Sequence, residues 1–470
     1  MKIRTRFAPS PTGYMHIGNL RTAIFEYLVA RKYDGDFILR IEDTDQERKV
    51  DGAIDFIYDT LNLCGFLIDE GPMNEKEYGP YIQSERKDIY KKYALELVEK
   101  GHAYYCFCTE DELSAMRERA NARKKPFLYD GRCSKLSKEK IEENLKNGVP
   151  YVIRQKMPKT GVTVVEDVIY GKIKIDNSIL DDQILLKSDG YPTYNFANVV
   201  DDHLMEITHV IRGKEYLDQT AKYNLLYEAF GWEKPTYIHV AMVLGEDGNK
   251  LSKRNGDASF MDLYNTGYLP HAIVNYLVLL GWSPAINQEV FSMEELIQNF
   301  DEARVSKSSS SYDVKKLQWF NAHYIKEMDD ETYLSWIKKY FTRDITGKSE
   351  DWINTLLLIY KRHLSYGAQI DEMTESFFQD VCLSDECKEF MESDPIIKDV
   401  VKAFKEEVEK MSVWSIENIS EAIMHVKESI GVKGKLLFMP IRIQASGLMH
   451  GPELADTLYL IGKDKILERF

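Results

Sequence analysis

Leu20, Ala23, Ile24, Tyr27 and Leu28 recur at i, i+3, i+4, i+7 and i+8, the stripe that one buried face of a helix presents. The preceding "KIRTRFA" (2–8) reads as a short strand, and Phe37, Leu39 and Ile41 of "DFILRIED" alternate as a second strand. Asn19 is placed to cap the helix and Gly35 to end it. Strand, helix and strand in about forty residues predict a βαβ unit and a parallel sheet. Ligands of such sheets bind beyond the carboxyl ends of the strands, where Arg6 and Glu42 fall.

The pattern breaks over roughly 104–190, a stretch that holds three of the six Cys and short β-like runs ("YVIRQK", "GVTVVEDVIYGKIKI"). It resumes with "YPTYNFANVVDDHLMEITHVIRGKEY" and "YIHVAMVLG", two hydrophobic strands around a helix, and Arg212 again falls at the carboxyl end of a strand. From about residue 270 onward amphipathic segments such as "HAIVNYLVLLGW", "WINTLLLIYKRHL" and "IENISEAIMHVKESI" predict helices. Between these parts the serine run "SKSSSSYD" (306–313) reads equally as a flexible linker or a structured turn.

At 470 residues the chain exceeds one core, so several domains are expected. No apolar run reaches membrane-spanning length, and the first residues carry no apolar signal-peptide core. Sparse Cys without a scaffold pattern point to a reducing cytosol, hence a cytoplasmic protein. The net charge of −15 argues against a generic nucleic-acid binder, so a polyanion would have to be met by a local patch. Residues 117–140 offer one, with nine Lys or Arg against three Asp or Glu, which is either a solvated helix face or a phosphate contact.

The usual phosphate and metal signatures, G-x-G-x-x-G after the first strand, G-x-x-x-x-G-K-[ST] and H-E-x-x-H, are absent. "FAPSPTGYMHIGN" (7–19) offers another device. Pro9, Pro11 and Gly13 fix a loop that delivers His16 to a helix N-terminus, where amides and dipole favour phosphate, and Gly18 allows close approach. "GEDGNKLSKRNG" (245–256) follows a predicted strand and crowds Lys250, Lys253 and Arg254 in a loop able to neutralise a triphosphate.

"HIGN" together with "KLSK" resembles the paired signatures of class I aminoacyl-tRNA synthetases. "RFAPSPTGYMHIGNLRTA", "LRIEDTD", "YPTYNFANVVDDHLM", "VIRGKE", "KLSKR" and the far "KGKLLFMPIRIQASGLMHGPELADTLYLIGK" are similar to the glutamyl-tRNA synthetases. The resemblance implies a multidomain α/β plus all-α chain. A Rossmann-like catalytic domain would occupy 1–103 and 191–245, and an inserted acceptor-stem module 104–190. The KLSKR loop and a connecting stem-contact domain would occupy 246–311, and a helical anticodon-binding domain 312–470. The implied reaction joins L-glutamate to ATP as glutamyl-adenylate and transfers it to the 3′ end of tRNA(Glu), with Mg²⁺ accompanying ATP.

By family position His16, Gly18, Asn19 and Lys253 meet ATP, and Lys250 and Arg254 support catalysis alongside His16 and Lys253. Two carboxylates and an ammonium call for two cations and an anion, which Arg6, Arg212 and Glu42 supply; the two arginine roles are exchangeable. Ser10, Tyr194 and Asn198 would complete the glutamate contacts. The insertion would grip the tRNA acceptor end through Arg117, Arg119, Arg123, Lys124 and Lys125. Cys106, Cys108 and Cys133 are three thiols that can hold zinc, with Tyr129 resembling a tyrosine ligand of a related enzyme. Lys135 stands where some members carry a fourth Cys or His, so three reduced thiols without metal are the other reading. A rival of another class, a small-molecule nucleotidyltransferase, can share such a histidine turn but would not need 470 residues, the basic insertion or the helical tail. Within the family, an enzyme that also glutamylates tRNA(Gln) remains the alternative, while a glutaminyl enzyme is disfavoured by Arg212. The expected protein is a monomer.

Overall fold

The computed structural model describes residues 2–45, 47, 50–245, 247–249, 251 and 259–470. These divide into one unit of residues 1–262 and 274–313 and a second of residues 263–273 and 314–470.

In the first unit β1 (Arg4–Phe7), α1 (Ile17–Lys32) and β2 (Asp36–Leu39) form the predicted βαβ unit, β1 pairing parallel with β2 from Arg4↔Asp36 to Phe7↔Leu39. Leu20, Ala23, Ile24, Tyr27 and Leu28 are all buried, but so are Arg21, Phe25 and Glu26. The helix is therefore enclosed on more than the face its apolar stripe announces; the Phe25 ring, for example, packs 5.3 Å from that of Phe300. His16, not Asn19, caps α1, and the helix ends at Lys32 with Asp34 rather than Gly35 taking the left-handed conformation (φ 50°). At Gly35 a Cβ would lie 2.4 Å from the Ile3 carbonyl oxygen, so glycine here serves close approach of the two strands.

The chain continues through α2 (Ala53–Leu63) and α3 (Lys87–Glu99) into the interrupting stretch. There β3 (Ala103–Cys106), α4 (Glu110–Ala122), α5 (Lys138–Lys146), β4 (Val152–Gln155), β5 (Val162–Asp167), β6 (Gly171–Asp176) and β7 (Ile184–Leu186) follow. β3, β4 and β7 make a small antiparallel sheet, whereas the β5–β6 hairpin extends the main sheet by pairing Asp167 with Tyr237. After α6 (Tyr194–Leu204), β8 (His209–Gly213) and β9 (Thr236–Val240) run parallel to each other, with α7 (Thr220–Phe230) between them in sequence. Thr208 donates its amide to the Arg4 carbonyl at 3.0 Å, which brings the start of β8 beside β1. The serine run is not a loose linker: Ser310–Ser311 pair parallel with Val243–Leu244, and the Tyr312 amide donates to the Leu244 carbonyl at 2.8 Å.

The second unit is helical. Helices Ile396–Lys410, Ile416–Ile430, Lys435–Ser446 and Leu454–Ile461 bury Val400, Phe404, Ile419, Ile423, Leu437, Ile441 and Leu458 in one core. Ser415 caps the second of these by accepting the Asn418 amide, a side-chain cap that satisfies an otherwise orphan donor.

The first unit is tied together by buried charge. Asp202 on α6 accepts from Arg6 Nε of β1 at 3.0 Å and from Arg40 Nη1, just beyond β2, at 2.8 Å. Its neighbour Asp201 accepts from Arg86 Nε at 2.8 Å, Tyr90 at 2.8 Å and Gln83 at 2.9 Å. Glu26 on α1 accepts from Arg6 Nη1 at 3.3 Å through one oxygen, while its buried Oε2 has no hydrogen-bond partner among the described residues. Burial, reinforced by Asp202 and Glu42 and opposed by Arg6 and Arg40, pushes the Glu26 carboxyl well above the usual range. Folded, Glu26 thus keeps its proton where the unfolded chain has lost it. Its contribution to stability is full below the ordinary carboxylate pKa and declines as pH rises through the elevated value. Glu26→Gln, which cannot ionise, should therefore lose less thermal stability than the unsubstituted protein as pH rises from the ordinary carboxylate range to neutral. Parallel melting-temperature profiles would contradict this.

Candidate active site

A cavity of about 290 Å³ opens at the carboxyl ends of β1, β8 and β9. Arg6, Ser10, His16, Gly18, Asn19, Glu42, Tyr194 and Arg212 all line it, so residues far apart in sequence converge there as expected; Asn198 does not. At one end His16 stands at the N-terminus of α1, and its Nδ1 accepts the Gly18 amide at 3.1 Å. The neutral ring therefore carries its proton on Nε2. This differs from the expectation of a free amide cluster, because the Gly18 amide is taken by the ring and the Asn19 amide by the His16 carbonyl at 2.9 Å. His16 thus lines the cavity at the positive end of the helix dipole, which favours an anion there. A Cβ at position 18 would sit 3.2 Å from His16 Nδ1, so the glycine makes room for the ring as well as for a ligand.

At the other end the two arginines differ in what holds them. Arg6 is surrounded by carboxylates, with Asp202 on Nε and Nη2 (3.0 and 3.4 Å) and Glu26 on Nη1, and it also donates to the Ile211 carbonyl at 3.4 Å. Arg212 meets neutral acceptors: Nε donates to His239 Nε2 at 3.1 Å and Nη2 to the Thr220 hydroxyl at 2.8 Å. The rings of Tyr223, Tyr237 and Tyr216 lie 4.6, 5.5 and 5.6 Å from its guanidinium carbon. No hydrogen bond engages Nη1 among the described residues, so the end edge of the fork, Nη1 with the second Nη2 hydrogen, stays available for a carboxylate.

Glu42 accepts from Arg40 at 3.0 Å and Gln83 at 3.4 Å, both through Oε1, and its Oε2 is not engaged among the described residues. Burial raises the Glu42 carboxyl above its ordinary value, against the pull of Arg40 and Arg6. Tyr194 packs against Tyr216 at 5.3 Å, and Asn198, one turn on, donates to the Tyr194 carbonyl at 2.7 Å. Asp201, Asp202, Arg40 and His239 were not singled out from sequence as site residues, although the first two lie within the quoted "VVDDHLM". Lys250, Lys253 and Arg254 lie outside the described residues.

Elsewhere in the unit, Cys106, Cys108 and Cys133 place their sulfurs within 4.8 Å of one another. The Tyr129 hydroxyl lies 3.3 Å from both Cys106 and Cys108, and the Cys108 and Cys133 sulfurs are 3.6 Å apart. A tetrahedral zinc with bonds of about 2.3 Å spaces its sulfurs by about 3.8 Å, so this donor set fits the metal. Arg117, Arg119, Arg123, Lys124 and Lys125 are all exposed on or just after α4, a helix with no buried residue.

Residues 2–319 match the family model for class I tRNA synthetases (E and Q), catalytic domain, and residues 323–470 match an anticodon binding domain. A glutamate–tRNA ligase of Clostridium botulinum (strain Eklund 17B) is 51% identical over 476 residues, covering 100% of this chain and 97% of that protein. One of Clostridium tetani is 48% identical over 479 residues, covering 100% and 96%. The crystal structure of a glutamate tRNA ligase from Elizabethkingia meningosepticum in complex with its amino acid superposes with a TM-score of 0.88 at 36% identity, covering 100% of this chain and 98% of that one. With the catalytic model covering every residue that lines the cavity and the anticodon model covering residues 323–470, the chain belongs to the class I tRNA synthetases of the glutamate and glutamine family.

Proposed function

We propose that the chain activates L-glutamate with ATP and attaches it to the 3′ end of tRNA(Glu). The observation that carries this reading is one cavity holding a guanidinium with an open edge, Arg212, and a carboxylate with an open oxygen, Glu42. That pairing suits an amino acid with an anionic side chain. Arg212 receives the side-chain carboxylate end-on, Glu42 the α-ammonium, and the remaining Nη2 hydrogen of Arg6 the α-carboxylate side, with Ser10 and Tyr194 as neutral contacts. Asn198 supports Tyr194 from behind. Glutamine would set its amide donors against the Arg212 donors and leave both unpaired, which the site rejects.

The substrate α-carboxylate is already ionised, so its oxygen attacks the α-phosphorus of ATP as the bond to pyrophosphate breaks. A ribose hydroxyl at the tRNA terminus then attacks the glutamyl carbonyl carbon and releases AMP. Little acid–base work is needed, and positioning with charge neutralisation carries the rate. His16 Nε2–H donates to a phosphate, and Lys250, Lys253 and Arg254 neutralise the triphosphate; Mg²⁺ accompanies ATP. The exposed Arg117, Arg119, Arg123, Lys124 and Lys125 meet acceptor-stem phosphates. To the same reading belong the domain limits 1–103 with 191–245, 104–190, 246–311 and 312–470, and a protein that acts as a cytoplasmic monomer. Cys106, Cys108 and Cys133, with Tyr129, hold a structural zinc.

Labelled glutamate should charge purified tRNA(Glu), and Arg212→Ala should raise the KM for glutamate at least about tenfold through loss of a charged contact. Charging with glutamine, or no charging, would contradict the reading, and glutamate on tRNA(Gln) as well would make the enzyme non-discriminating. Metal analysis of the purified chain should find about one zinc per molecule, lost in Cys108→Ser. A zinc-free protein with full activity would contradict the metal assignment.

A further inference from the structure

Arg212 and His239 are register partners on the adjacent parallel strands β8 and β9, and the imidazole lies against the side edge of the guanidinium. His239 is fully buried, and its ring is clamped from the opposite side by Asp167, whose Oδ2 lies 2.7 Å from Nδ1 and also accepts the His239 amide at 3.0 Å. The other Asp167 oxygen accepts the amides of Ile169 and Tyr170 at 2.9 and 2.8 Å, so the carboxylate is anchored by backbone. We propose that Asp167 and His239 form a positioning relay that fixes Arg212 for the substrate carboxylate: Asp167 holds the proton on His239 Nδ1, which leaves Nε2 as a neutral acceptor aimed at Arg212 Nε.

Three observations support the direction of this relay. Arg212 Nε can only donate, so Nε2 must present a lone pair. The Thr220 hydroxyl, 3.2 Å from the same nitrogen, donates to the Tyr216 carbonyl at 2.9 Å and accepts from Arg212 Nη2, so it does not compete for that lone pair. Burial holds His239 below the ordinary histidine value despite the pull of Asp167, and Arg212 presses the same way, which keeps the ring neutral.

The consequence is specific to charge. A carboxylate in place of His239 would fix Arg212 equally well but neutralise it, as Asp202 does for Arg6. A neutral acceptor fixes the guanidinium and leaves its charge for the ligand. Asp167 comes from the β5–β6 hairpin of the interrupting stretch, so this stretch contributes to amino-acid recognition as well as to the sheet.

The relay rests on the reading of Arg212 as the glutamate contact, and the test separates the two. In charging assays His239→Leu should raise the KM for glutamate by about ten- to a hundredfold, the cost of one hydrogen bond to a charged group. Turnover number and the KM for ATP should change by no more than about twofold, and glutamine should become a better competitor. His239→Gln, which restores an acceptor near the Nε2 position, should recover most of the glutamate KM, an outcome that a merely space-filling role would not produce. In the unsubstituted protein, the ¹⁵N signal of His239 should report a neutral Nδ1–H ring and move on addition of glutamate but not of ATP. If Arg212→Ala raises the glutamate KM while folded His239→Leu does not, the relay is wrong and the contact stands. If Arg212→Ala changes nothing, both are wrong. An imidazolium or an Nε2–H ring would overturn the relay even were His239→Leu unable to fold.

Discussion

The carboxylate of Asp202, buried between Arg6 and Arg40, is the interaction on which the catalytic unit depends. It joins α6 to the ends of β1 and β2, and it decides what charge those ends offer a ligand. Removing one member of a buried pair leaves an uncompensated charge and costs about 3–5 kcal/mol, whereas the intact pair gains little over apolar packing. Such a network is a constraint on arrangement more than a source of stability. Here it keeps Arg40 in place to orient Glu42 through a 3.0 Å bond, with one Glu42 oxygen directed away from its protein partners. Around the same centre Glu26 resolves an excess of carboxylates by retaining its proton.

The two arginines in the cavity are thereby made unequal. Arg6 is opposed by the buried carboxylate of Asp202, which offsets its charge, while the protonated Glu26 only accepts a hydrogen bond from it. Arg212 is held by an imidazole, a hydroxyl and aromatic faces, none of which carries a full negative charge. In a low-dielectric cavity this difference outweighs small differences of distance. The sequence favoured Arg212 for the side-chain carboxylate and left an exchange with Arg6 open; the neutral surroundings of Arg212 support the first reading.

Much of this was legible along the chain, and the losses have identifiable causes. The βαβ unit, the carboxyl-end placement of Arg6, Glu42 and Arg212, and the helical second unit follow from periodicities of two and of 3.6 residues. The cap of α1 was misplaced because a histidine nitrogen does what an Asn or Ser oxygen normally does at that position. The serine run stayed undecided between linker and structured turn because its partner strand lies some seventy residues earlier in the chain, at Val243–Leu244. Asp202 and His239 were invisible for a related reason. A charged pair on a helix ordinarily marks the solvent face, and a His within an apolar strand ordinarily marks nothing, until Arg6, Arg40 and Arg212 arrive from elsewhere.

In the proposed reading Asp202, shared by Arg6 and Arg40, offsets their charge so that Glu42 and Arg212 remain for the substrate. The most direct measurement is the glutamate KM of Asp202→Asn, a substitution of nearly the same shape without the charge, set beside its ATP KM in the charging reaction. The variant should fold and its glutamate KM should rise by at least about tenfold, because Arg6 and Arg40 then draw on Glu42 and Glu26, with the ATP KM nearly unchanged. A folded variant with an unaltered glutamate KM would contradict it.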